Sequence, residues 1–256
     1  MNATVDRGRA EKAASLLLAA RRTGKLLDSL PESLRPKTAA EVYAIQDLTL
    51  AGLGPIGGWK AGPPGGEDPA WFNILPAADF HPSPAKAPGV IAFNPEIEVE
   101  IALVFGRDLP MRATPYTLEE VTAAIASVNP AIEVIGSRFV SRTSVDMLSG
   151  LADLRSNAAT IVGPALKDWR GLDFARVAME LFFDGKKVAE VSGGASTATA
   201  LGIMTSLVNH ATSRNGGMRA GQVVITGARI TPVAVPNGTK QIVADVTGLG
   251  RVTLNL

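Results

Sequence analysis

The sequence contains no cysteine. Disulfides, thiolate metal ligands and cysteine nucleophiles are therefore excluded, and the absence fits a reducing compartment. Histidine is nearly missing too, with only His81 and His210. One falls in a proline-rich stretch and the other late in a helical pattern. Neither has a metal-like partner at fixed spacing, so packing or surface roles are expected. Charge of one sign is not in excess: the formal net charge is +1 and the charged residues are spread along the chain. No global field draws nucleic acid or an anionic membrane. No apolar run approaches the ~20 residues that span a bilayer. A cytoplasmic protein without nucleic-acid or membrane partners is expected.

One segment imitates a secretory signal. Arg7, Arg9 and Lys12 precede an alanine- and leucine-rich run from Ala13 to Ala20. Arg21 and Arg22 follow at once, without a small-residue cleavage pattern. Ala13, Leu16, Leu17 and Ala20 recur at helical spacing, so the segment near 8–22 reads as an amphipathic helix. A second helix is expected from about Ala39 to Leu50, with Thr38 as N-cap and Glu41 as its capping-box partner. The pattern Gly52-Leu53-Gly54-Pro55-Ile56-Gly57 matches a dinucleotide fingerprint only literally. It follows a helix, contains proline and opens no helix, so nucleotide binding is set aside.

What the sequence has is a β-rich body. Apolar residues make up 46% of 256, ample for one large core. Strands are expected near 56–62, 97–105, 131–136, 158–163, 177–184, 187–191, 223–227, 241–246 and 251–256, with Asp184-Gly185 as a hairpin turn. Residues 62–69 and 81–89 read as loops. Helices are expected after Thr117, which has Glu120 three residues on, and from Ser196 to about Ser213. Residues 1–85 form an N-terminal helical part with a lysine loop. Residues 86–256 form the β-rich region, and the two are expected to make one compact α+β unit.

The most informative stretch is Ile97 to Phe105. Ile97, Val99, Ile101, Leu103 and Phe105 alternate and share one strand face, leaving Glu98 and Glu100 on the other, about 7 Å apart. On spacing alone, glutamates facing water are the better reading. However, Ala102 and Val104 continue the glutamate face as apolar residues. Glu133, in Ala131-Ile132-Glu133-Val134-Ile135, is a third acid amid hydrophobes. Buried like charges repel and lose hydration, and a cation between them removes both penalties. Oxygen-only ligands suit magnesium, manganese or calcium and leave open positions for a bidentate 2-oxo acid or water.

These acids lie in Glu98-Val99-Glu100-Ile101-Ala102-Leu103-Val104 and in Glu133-Val134-Ile135-Gly136-Ser137-Arg138. With Gly58-Trp59-Lys60-Ala61-Gly62, Gly221 to Gly227, Thr231-Pro232-Val233 and Gly248-Leu249-Gly250, they follow a familiar order. The chain resembles the fumarylacetoacetate hydrolase superfamily over nearly its whole length. The match is closer to the branch of 2-oxopent-4-enoate (2-hydroxypenta-2,4-dienoate) hydratases and 4-oxalocrotonate decarboxylases. The resemblance implies a mixed β-roll, barrel-like fold and magnesium or manganese held by Glu98, Glu100 and Glu133. It also implies Lys60 in the active site. The implied activity is a hydro-lyase of aromatic catabolism working by metal-stabilised enolate chemistry on a small 2-oxo acid. The alternatives are a 2-oxo acid decarboxylase, a C–C hydrolase or a non-catalytic metal-binding partner subunit.

Other assignments stay open between a functional and a plainer role. Lys60 is a proton shuttle or carboxylate anchor, its pKa lowered by burial or a metal, or else a surface lysine. Arg138 binds a substrate carboxylate or forms a structural ion pair. Ser192, Gly193 and Ser196, before a helix, hold an anion or form a simple turn and N-cap. The chain departs from the branch's pattern in three places: Gly136 before Ser137-Arg138 where an Asp is usual, Leu154-Arg155 where Asn-Ala is usual, and Ala228 after Thr226-Gly227. The acid expected after the lysine loop has two candidates, Asp68 and Asp79. Exposed strand edges and short N-terminal helices suggest a homo-oligomer.

Overall fold

The computed structural model describes residues 5–62, 71–86 and 95–256. The chain opens with α1 (Arg7–Thr23), α2 (Ala39–Ala51), β1 (Ile56–Ala61) and β2 (Phe72–Pro76). Short strands β3 (Phe80–Pro82) and β4 (Ala85–Lys86) lead to the long β5 (Glu96–Phe105). Then come β6 (Leu109–Pro110), α3 (Leu118–Ala124), β7 (Ile125–Ile135), α4 (Met147–Ala152) and β8 (Asn157–Val162). The hairpin of β9 (Ala178–Phe183) and β10 (Lys186–Ser192) precedes α5 (Thr197–Arg214). The chain closes with β11 (Gly217–Met218), β12 (Val223–Ile225), β13 (Ile230–Ala234), β14 (Gln241–Val246) and β15 (Gly250–Asn255).

Local chemistry sets these boundaries. Asp6 caps α1 by accepting the Arg9 N–H, and Gly24 ends it in the left-handed region. The buried stripe is Ala10, Ala13, Ala14, Leu17 and Ala20. Thr38 caps α2, but Glu41 bonds back to the Lys37 N–H at 2.6 Å rather than to Thr38. At Thr117 the full reciprocal capping box forms with Glu120. Asp184 and Gly185 both have positive φ, 48° and 79°, as a tight hairpin requires.

The strands form one eight-stranded sheet in the order β2-β1-β12-β5-β7-β8-β3, with β13 also on β5, and one five-stranded sheet in the order β10-β9-β14-β15-β4. β14 and β15 lie against β7, and the main apolar core fills the space between. The expected α+β fold is present, with these two main sheets, a two-stranded pair of β6 and β11, and no closed barrel among the described residues. The N-terminal segment contributes β1 and β2 to the same sheet as β5 and β7. α1, α2 and α4 gather a separate apolar cluster around Leu17, Leu30, Ile45 and Phe139.

The longer elements not anticipated are β2, β13 and α4, and the short strands β3, β4, β6 and β11 were not anticipated either. β2 and β13 each contain proline, at Pro76 and Pro232, which argues against a strand on sequence alone. β7 also starts at Ile125, six residues earlier than expected. Pro130 lies within it, and β8 ends opposite Ala131. The Pro130 carbonyl accepts the Gly163 N–H at 2.8 Å. The donor that proline lacks would point to the same side, beyond the β8 ladder, so nothing is left unpaired. The loop expected at 62–69 lies almost wholly outside the described residues. The one expected at 81–89 is corrected over its described part, where β3 pairs with β8 and β4 with β15, and residues 87–89 lie outside the described residues.

Candidate metal centre

Register brings the acids together. On adjacent antiparallel strands Glu98 of β5 pairs with Glu133 of β7, and Glu100 pairs with Ala131. One carboxylate oxygen from each of Glu98, Glu100 and Glu133 lies within 4.8 Å of the others. The alternating face from Ile97 to Phe105 is wholly buried in the main core. The opposite face is buried too, because Ala102, Ala131, Leu75, Leu154 and Ile225 form their own apolar cluster. The three glutamates therefore sit between two hydrophobic layers; Glu100 and Glu133 are fully buried. Water cannot be their main partner.

Lys60 reaches the acids from β1, two strands away. It pairs with Ile225 of β12, which pairs with Ala102 of β5, so its side chain stands over the glutamate face. Its Nζ donates to Glu98 Oε2 at 3.1 Å and to Glu133 Oε2 at 2.6 Å. Burial works to lower its pKa, but the charges of Glu133, Glu98 and Glu100 outweigh burial and raise it. The expectation of a lowered lysine pKa is therefore corrected for the metal-free protein: three carboxylates hold it as an ammonium.

One ammonium does not satisfy three buried carboxylates. Burial, and then Glu133, push Glu98 up to about 7 despite Lys60. Burial and Glu133 push Glu100 well above the carboxylate range. Burial also opposes ionisation of Glu133, but Lys60 and the hydrogen bond from Asn157 Nδ2 at 2.9 Å help hold it below its ordinary value. Glu100 Oε2 accepts the Gly227 N–H at 2.7 Å, whereas its Oε1 is buried without a partner. Surplus negative charge and an unpartnered buried oxygen fit a divalent cation held by oxygen ligands.

A cavity of about 570 Å³ opens over this centre, within the usual range for small-molecule sites. Ser192 and Gly193 line it, with Lys60, Glu98, Arg155 and Arg229. Ser196 does not line it. Its hydroxyl caps α5, accepting the Thr199 N–H at 3.1 Å, so the plainer of its two readings holds. A smaller cavity of about 230 Å³ shares Lys60, Glu98 and Arg155 and extends toward Trp71 and Met147.

Arg138 is a second correction. It is buried and lines neither of these cavities. Its Nε is paired with Asp153, and its other nitrogens donate to the carbonyls of Gly136 at 2.7 Å, Asn157 at 2.6 Å and Asp153. Four of its five N–H donors are engaged, and its burial away from both cavities keeps the fifth from a substrate there. Arg138 instead braces the segment that delivers Asn157 to Glu133. Asp79, one candidate for the acid near Lys60, is paired with Arg21 at 2.5 Å, and Asp68 lies outside the described residues.

Sequence reasoning did not single out Asn157, which opens the strand beside the one carrying Glu133. Nor did it foresee the backbone around Arg155. Leu154, Arg155 and Ser156 have φ of 52°, 48° and 63°, three consecutive non-glycine residues in the left-handed region. Each costs roughly 1–2 kcal/mol, which points to a local function.

The model of the fumarylacetoacetate (FAA) hydrolase C-terminal family matches residues 68–256. This chain belongs to that family. Its similarity to family relatives extends beyond the matched region. It is 28% identical over 257 residues to a 2-keto-4-pentenoate hydratase of Paraburkholderia xenovorans (strain LB400), covering 94% of this chain and 93% of that protein. In structure it is similar to 4-oxalocrotonate decarboxylase from Pseudomonas putida G7, complexed with magnesium and adipate. The TM-score is 0.79 at 24% identity, over 99% of each chain. A fumarylpyruvate hydrolase from Pseudomonas aeruginosa, in complex with Mn2+ and pyruvate, matches with a TM-score of 0.56 at 16% identity, over 77% of this chain and 87% of that one. These two likenesses show the FAA hydrolase fold, and the first of them covers 99% of the chain and so extends beyond the matched region.

Proposed function

We propose that this chain is a metal-dependent hydro-lyase that adds water to 2-hydroxypenta-2,4-dienoate (2-oxopent-4-enoate) or a close 2-oxo acid. The observation that carries the reading is the buried convergence of Glu98, Glu100, Glu133 and Lys60 beneath a substrate-sized cavity. The near full-length similarity to a hydratase supports it. Magnesium or manganese is the proposed cofactor, and Glu98, Glu100 and Glu133 would hold it. When bound, such a cation supplies Lewis-acid stabilisation of negative charge developing on a substrate oxygen.

The side chains do the rest. Lys60 stands over the glutamates with protons on Nζ, so its proposed role is donor rather than base. It delivers a proton to the terminal carbon of the dienol, C5, while the C2 hydroxyl releases its proton to solvent, giving an unsaturated 2-oxo acid. Water then adds across the new double bond, oxygen to C4 and proton to C3. Ser192 and Gly193 form part of the cavity wall. Glu133 is aligned by Asn157, and Glu100 by the Gly227 N–H, so both carboxylates are oriented before any ligand arrives.

Ultraviolet absorbance of the dienol, followed with protein and magnesium, tests the reading. Loss of absorbance faster than in buffer is expected, and a rate equal to buffer rejects the assignment for that substrate. Decarboxylation of a 4-oxalocrotonate-type acid is the second reading, favoured by the guanidinium groups in the cavity wall. Carbon dioxide release separates the two.

A further inference from the structure

Four cations line the two cavities beside the glutamates: Lys60, Arg142, Arg155 and Arg229. Three of them are engaged. Lys60 is bound by Glu98 and Glu133. Arg142 is paired with Glu96 at 2.5 Å. Arg229 donates to the carbonyls of Phe174 at 2.6 Å and Ala195 at 2.7 Å, and so fastens the loop before α5. Arg155 makes no ion pair or side-chain hydrogen bond with any described residue, yet it borders both cavities.

Its backbone explains how it is presented. The left-handed turn buries Leu154 at 2% exposure and Ser156 at 6%, while Arg155 between them is exposed. Leu154 is anchored in the apolar cluster with Leu75 and Ile225. The Ser156 carbonyl accepts the Gly136 N–H at 2.7 Å. Both neighbours are thus fixed, and the guanidinium is left to the cavities. This is also one of the places where the chain leaves its branch's usual pattern.

We propose that Arg155 binds a second anionic group on the substrate, so that the chain prefers 2-oxo acids with a distal carboxylate over neutral-ended ones. The inference rests on the reading that a 2-oxo acid occupies the cavity with its oxo-acid end at the glutamate centre, and it narrows the substrate from 2-hydroxypenta-2,4-dienoate itself to a close 2-oxo acid that carries a distal carboxylate. The planar guanidinium fork matches a carboxylate in bidentate fashion, and Arg155 has its donors free. Lys60 stands at the glutamate centre itself, on the side assigned to the oxo-acid end, and is not placed for that second group.

A matched pair of ligands tests the proposal. 2-Oxoadipate and 2-oxohexanoate have the same chain length and differ in a terminal carboxylate against a methyl. Calorimetric titration of the magnesium-loaded protein is expected to show 2-oxoadipate binding roughly 10- to 100-fold more tightly, the range for a charge-assisted hydrogen bond. In R155Q the two acids bind alike, and R155K keeps part of the preference. R155G gives the same levelling with the left-handed backbone relieved, which guards against a folding defect. Equal binding of both acids by the wild type, equal losses for both in R155Q, or binding of neither acid overturns the proposal. The dienol assay is independent. Selective binding without dienol turnover retains Arg155 and rejects the hydratase reading, and dienol turnover without selectivity does the reverse.

Discussion

A divalent cation held by the triad would compete with Lys60 for the same oxygens. The ammonium sits 2.6 Å from Glu133 and 3.1 Å from Glu98, so any cation entering the triad meets a like charge a few ångströms away. At an effective dielectric constant near 20, two unit charges 4 Å apart repel by about 4 kcal/mol. Removing the lysine charge should therefore strengthen metal binding even as it abolishes catalysis. The expected outcome for Lys60→Met is manganese affinity raised roughly tenfold or more by calorimetry. Dienol turnover should fall by about 100-fold or more. Weaker metal binding in the variant would show instead that the lysine organises the triad. Arg138 teaches the complementary lesson. An arginine close in sequence to a ligand is a natural suspect for substrate binding, but Asp153 and three carbonyls consume it.

Among the elements, β1 is the one whose position decides the chemistry. It carries Lys60, and it must lie flush on β12 for the lysine to reach across to β5. Gly58 permits this closeness. A Cβ built at Gly58 would stand 2.0 Å from the Val223 carbonyl oxygen and 2.5 Å from the Phe80 ring. Gly58→Ala must push β1 away from its neighbour, destabilising by about 3 kcal/mol or more. Urea unfolding should show the loss in its midpoint, and residual folded protein should have lost dienol turnover. An unchanged midpoint would mean that the strand pair yields more easily than this contact suggests.

At the scale of the molecule, the metal centre is a store of electrostatic conflict inside the main sheet. Glu98 titrates at about 7 and Glu100 well above its ordinary range, so the metal-free fold holds protons that the unfolded chain releases. A raised carboxylate pKa contributes stability that is full below the unfolded value, near 4.3, and is lost as pH rises through about 7. Chelated protein should therefore lose stability between pH 5 and 8. A bound divalent cation replaces those protons and should stabilise the fold most where they are absent. Thermal scans with chelator or magnesium are expected to differ by several degrees at pH 8 and by less than half of that at pH 5.5. A metal-induced shift of the same size at both pH values would falsify this linkage.

The sequence by itself determined the periodic features. Alternation from Ile97 to Phe105 placed Glu98 and Glu100 on one strand face, the caps at Thr38 and Thr117 located two helices, and Asp184-Gly185 marked a hairpin. These depend on residues within a few positions of one another, so local chemistry suffices. The ordered motifs also made the family legible. Tertiary structure alone decided whether the glutamate face is wet, because that depends on Leu75, Leu154 and Ile225 arriving from three other segments. It likewise decided that Lys60 is held as a cation, that Arg138 is spent on Asp153 and that Arg155 has no side-chain partner among the described residues. A side chain's protonation and availability follow from what packs against it, and those neighbours come from distant parts of the chain.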